Sequence, residues 1–104
     1  MPTHARYLYL VMMDVEPDKE AEFNTVYDTE HIPTLLKVPG VLSATRYRTS
    51  VAGVPRYAAL YELTAPDVPE SEAFQRAADS GEWPTKIRPH TRNRRHILYT
   101  RIDP

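Results

Sequence analysis

A phenol and an imidazole four residues apart, Tyr27 and His31, form the pairing in this 104-residue chain best suited to chemistry. On a helix that spacing puts both on one face. His is the side chain whose ordinary pKa lies nearest neutrality, which suits general acid or base work. Glu30, the next residue back, is turned about 100° away on a helix. It is therefore expected to meet an arginine or solvent rather than relay a proton to His31. Pro33 lacks a backbone donor and disfavours helix at Ile32, so the helix is expected to break there. Each residue also has a plainer reading. His31 would cap carbonyls at a helix end, and Tyr27 would be a core aromatic with its hydroxyl at the edge.

Further aromatic candidates lie elsewhere. Tyr9 and Tyr61 fall on two apolar segments that would line a pocket or a sheet interior. Trp83 sits in a proline-interrupted stretch and would cover a pocket or anchor that loop. Arg46 and Tyr47 alternate on a strand, so only one of them faces the helices. Arg46 would be a pocket cation or an ion-pair partner at a dimer interface, and the structural role is the expected one. His4, His90 and His96 are scattered and have no metal-ligand spacing, so no metal is expected. The chain also lacks a Gly-x-Ser-x-Gly elbow, a phosphate-binding loop and a dinucleotide fingerprint, so no built-in cofactor site is expected.

Composition narrows the classes. Without cysteine there is no disulfide framework, thiolate nucleophile or Cys-ligated cluster, and a reducing cytoplasm is the expected compartment. No apolar run approaches the roughly 20 residues of a membrane span, and no signal peptide is read at the start. Net charge is −1 but uneven: −4 over residues 1–70 and +3 over 71–104. The basic excess, Arg88, Arg92, Arg94, Arg95 and Arg101, is expected to form a solvated or subunit-bridging surface. A balanced charge argues against nucleic acid as partner.

These side chains need a scaffold. Tyr7 to Met13 reads as a strand apolar on both alternations. A helix follows from Asp18 to about Glu30, and a short helical turn covers Thr34 to Lys37. Pro39-Gly40 launches a second strand, Val41 to Thr49. A turn at Ala52 to Pro55 leads to a third strand, Arg56 to Leu63. A second helix runs from about Ser71 to Ser80, closed by Gly81. Glu82 to Asn93 reads as irregular, and Arg95 to Ile102 as the last strand. The order β-α-β-β-α-β is the ferredoxin-like pattern in a single domain over 1–104, α+β in class. Two helices can cover only one face of a four-stranded antiparallel sheet. Strands apolar on both faces then call for a homodimer with two sheets packed face to face.

In this context the chain resembles the EthD-like proteins of the dimeric α/β-barrel superfamily. The resemblance rests on Tyr27-Asp28-Thr29-Glu30-His31-Ile32-Pro33, similar to an aromatic-x-x-Glu-His-x-Pro signature. It rests also on Pro39-Gly40-Val41 running to Arg46-Tyr47, and on the strand-then-helix opening. It implies a homodimer with a pocket between sheet and helices in each subunit. Relatives include cofactor-free monooxygenases, isomerases and dehydratases; haem occurs in some, but no motif here supports it. The leading expectation is a small cofactor-independent enzyme on a hydrophobic, oxygenated small molecule. His31 would be its acid/base, with Tyr9, Tyr27, Tyr61 and Trp83 binding substrate. The alternative is a non-catalytic dimeric ligand-binding or accessory protein.

Overall fold

The computed structural model describes residues 5–103, so His4 lies outside the described residues. Four strands, β1 (Tyr7–Val15), β2 (Val41–Arg48), β3 (Tyr57–Leu63) and β4 (Thr91–Thr100), form one sheet of order β2-β3-β1-β4. Every neighbouring pair is antiparallel. The fold is the ferredoxin-like α+β arrangement that the element order predicts.

The first helical stretch departs from expectation. Instead of stopping at Glu30, the chain stays helical through three joined pieces: α1 (Glu20–Val26), a π-helical turn (Tyr27–His31) and α2 (Ile32–Leu35). The wider turn explains how Pro33 is tolerated. Ile32 N–H reaches back five residues to the Tyr27 carbonyl. Pro33 therefore enters in the first turn of α2, where a missing N–H costs little. α3 (Glu72–Ala78) is capped by Ser71, whose Oγ accepts from Phe74 N–H at 3.2 Å.

The stretch read as irregular is also ordered. A second π-helical turn spans Trp83–Ile87, with Pro84 at its start, and a 3₁₀ turn covers Arg88–His90. β4 accordingly begins at Thr91, not Arg95. Its early residues are hidden in sequence by a bulge. Asn93 takes a left-handed φ of 56°, and one extra residue on β4 shifts the register between the Met12–Arg95 and Asp14–Arg92 pairs. Asn93 Nδ2 donates to Asp14 Oδ2 at 2.8 Å and holds the bulge.

β3 shows how the sheet divides. Tyr57, Ala59, Tyr61 and Leu63 are buried, and Ala58, Leu60 and Glu62 between them are less so. The buried set faces the helices with Val11 and Met13 of β1. The opposite face presents Leu8, Leu10, Met12, Leu60, Ile97 and Tyr99, only half-buried or exposed. No helix among the described residues lies over it. Gly40, at φ 96°, makes the turn into β2, and its carbonyl accepts from Thr64 N–H at 2.9 Å. A Cβ there would press to 2.6 Å from Val68 Cγ2.

Candidate functional site

The two π-helical turns meet. The first ends at His31 and the second begins at Trp83, and their rings stack with centroids 4.4 Å apart at 22°. Tyr27 stands edge-on to both, 5.0 Å from each. This triad is almost fully buried, His31 being 7% exposed. One contact ties the turns together. The Glu30 carboxylate accepts a hydrogen bond from Glu82 N–H, next to Trp83. Gly81 makes room for it, since a Cβ there would fall 1.8 Å from Glu30 Oε1. Glu30 thus meets a backbone amide rather than an arginine or open solvent. Its adjacency to His31 works as the helix predicts: one side chain pins a loop while the other faces inward.

Arg46 faces the helices and Tyr47 faces away, 55% exposed. The Arg46 guanidinium donates to Asp28 Oδ1 at 2.8 Å and Asn24 Oδ1 at 2.7 Å, and lies 4.5 Å from the Tyr27 ring centroid. It clamps the first helix to β2 and supports Tyr27 from behind.

Beside the triad is a cavity of about 250 Å³, open on one side. His31, Tyr9, Tyr27 and Trp83 all line it, with Phe74 and Leu35. Tyr61 does not. It is 1% exposed, pairs directly across the sheet with Tyr9, and its hydroxyl sits 3.4 Å from that of Tyr27. It packs against Tyr27 and Tyr9, both of which line the cavity. Burial raises the pKa of Tyr27 and Tyr61, so both phenols stay protonated at neutral pH.

His31 is not a capping residue, because its side chain makes no cap hydrogen bond. Its Nδ1 is buried without a hydrogen-bond partner. Burial, reinforced by the charges of Arg88 and Arg94, lowers its pKa from 6.5 to about 4. At neutral pH it is therefore an uncharged imidazole: able to accept a proton, or to donate its one N–H, but not a resting acid.

The basic segment was expected to lie on a solvated or bridging surface, and the structure divides it. Arg92 pairs with Glu16, and Arg101 with Asp103. Arg88 and Arg94 instead line the cavity with His96, Gln75 and Asp79. Once β4 starts at Thr91, Arg94, His96 and Leu98 alternate onto the helix face opposite Tyr9 and Val11. That alternation was the available signal, and the unseen bulge concealed it. Arg88 Nη2 bonds the Ala78 carbonyl at 3.1 Å and Asp79 Oδ1 at 2.8 Å, while its Nε is buried and unpartnered. His90 bonds Glu16, away from the cavity. Among the described residues no three His, Asp or Glu side chains converge on a possible metal position.

No protein-family model and no curated protein matches the chain. Solved structures do. A candidate antibiotic biosynthesis monooxygenase from Bordetella bronchiseptica superposes with a TM-score of 0.73 at 16% identity, covering 95% of this chain and 99% of that one. SnoaB, a cofactor-independent oxygenase from Streptomyces nogalater, gives 0.65 at 22% identity over 94% of both chains. An EthD-family protein from Bacillus halodurans gives 0.66 at 10% identity, covering 92% of this chain and 99% of that one. At such identities the likeness is one of fold. The chain has the ferredoxin-like fold, and its structural neighbours include EthD-family and antibiotic-biosynthesis-monooxygenase-like proteins.

Proposed function

We propose that this chain is a small cofactor-independent enzyme that removes a proton from a hydrophobic, oxygenated small molecule. The observation that carries the reading is His31: a neutral imidazole, stacked on Trp83, in the wall of a cavity rich in aromatic side chains. In the proposed step a C–H or O–H bond of the substrate breaks. The proton goes to an imidazole nitrogen, and the electron pair stays on the substrate as an enolate or phenolate. Returning the proton at another carbon gives an isomerase. Delivering it instead to a β-hydroxyl, whose C–O bond breaks as the electron pair forms the double bond and water leaves, gives a dehydratase. Addition of the carbanion of a CH2 group to dioxygen, with the proton returned to the new peroxide, gives a hydroperoxide. Loss of the remaining C–H proton with cleavage of the O–O bond then leaves a carbonyl and releases water. That is a monooxygenase reaction, and the SnoaB neighbour is named a cofactor-independent oxygenase.

The cavity's volume lies just below the usual range of about 300–1,000 Å³ for small-molecule sites, which favours a ligand of one or two rings. The apolar outer face of the sheet supports a homodimer with that face as the shared surface. The alternative reading, a non-catalytic dimeric ligand-binding or accessory protein, uses the same cavity without proton transfer.

Native mass spectrometry of the protein purified from cell extract tests the pocket. The expected result is an added small-molecule mass that His31→Ala and a Trp83→Ala variant both reduce. A bound mass indifferent to both variants would place the ligand elsewhere and defeat the reading.

A further inference from the structure

The polar groups around the cavity are unbalanced in charge. Arg88 and Arg94 line it against one carboxylate, Asp79, and Arg88 already holds Asp79 at 2.8 Å. Arg94 makes no ion pair among the described residues; its one polar contact is Nη2 to His96 Nε2 at 3.4 Å. Two deeper nitrogens, His31 Nδ1 and Arg88 Nε, are buried with no partner. Buried polar atoms normally find partners, so these two leave the cavity's surroundings short of acceptors for their N–H groups. Apart from Gln75, which donates to the Pro69 carbonyl, the rest of the lining is aromatic and aliphatic, with Tyr9, Phe74, Trp83 and Leu35 prominent.

Resting on the proposed function, we infer that the cavity's ligand carries an anionic oxygen on a flat apolar body, and that Arg94, with Arg88 behind it, meets that charge. A carboxylate on the substrate and an enolate formed from it share this chemistry. The aromatic walls take the ring, and the guanidiniums take the oxygen in charge-assisted hydrogen bonds. The two arginines already influence the site: they add to burial in lowering the pKa of both His31 and His96. The same field that keeps these imidazoles neutral would favour a negative ligand. It would also lower the cost of drawing a proton from a substrate whose oxygen becomes negative.

The test compares benzoate with benzamide, nearly identical in shape and different in charge, by isothermal titration calorimetry. Trp83, the chain's one tryptophan, reports binding in parallel through its fluorescence. The expected result is benzoate tighter than benzamide by about tenfold, the scale of one charge-assisted hydrogen bond. Arg94→Gln should remove that preference by weakening benzoate far more than benzamide, and Arg94→Lys should retain part of it. Equal binding of the two probes would overturn the anion subsite and leave the pocket standing. A preference that survives Arg94→Gln would overturn the assignment to Arg94. Failure of both probes to bind the wild-type protein would overturn the pocket itself and the inference with it.

Discussion

His31 concentrates the case at the scale of single residues. Its ordinary pKa of 6.5 falls to about 4 because the charged form would lie buried beside two arginines. The unfolded chain therefore holds more protons than the folded one between these values. Stability gained from this group is complete above about pH 6.5 and is lost as pH falls toward 4. The difference amounts to at most about 3 kcal/mol. Urea unfolding at a series of pH values should show this loss, and His31→Gln should flatten that part of the profile. A proton NMR titration should place the His31 midpoint well below 6. Tyr27 and His31 could be paired from spacing alone, because helical and π-helical turns both bring them together. The unpartnered Nδ1 and the burial could not, because they depend on Trp83, 52 positions further on.

At the scale of elements, the decisive contact joins the two π-helical turns. The Glu30 carboxylate pins the Glu82 amide, and the Gly81 position stays open for it. Gly81→Ala adds a Cβ where Glu30 sits and forces a side chain onto a φ of 69°. It should destabilise the fold by more than about 1 kcal/mol. Glu30→Ala should cost about 1–2 kcal/mol by leaving the Glu82 amide without its charged acceptor. Both should change Trp83 fluorescence, because each loosens the stack on His31. Unchanged emission in both variants would mean that Trp83 is held by the core alone. The strands and helices were legible because their apolar spacing is regular and Gly and Pro mark their ends. Two features were not. Pro33 signals a break, yet the π-helical turn absorbs it. Asn93 conceals the start of β4 and, with it, the placement of Arg94.

For the whole molecule, the uncovered sheet face is the surface on which the proposed homodimer rests. Leu8, Leu10, Met12 and Leu60 stand on it, away from every helix among the described residues. Sedimentation at micromolar concentration should give about twice the 12.0 kDa chain mass. Leu10→Glu should shift the equilibrium toward monomer by placing a charge in the middle of that face. A monomeric wild-type chain would leave this apolar surface in water and remove the barrel. The element order and the two-sided apolar strands carried the architecture in the sequence. The cavity was not legible there, because it is assembled from β1, β4, α2, α3 and both π-helical turns.

The central claim is that His31 takes a proton from a ligand in the cavity. Exchange of the α-protons of indanone in heavy water, followed by proton NMR, tests it without requiring the natural substrate or dioxygen. The account predicts that the wild-type protein accelerates exchange above buffer. The rate should stay level as pH falls from 8 to about 5 and drop as His31 is protonated near 4. His31→Gln should lower the protein-catalysed rate by about a hundredfold, the usual scale for a general base. An exchange rate equal in wild type and His31→Gln, with the variant folded, would contradict the account.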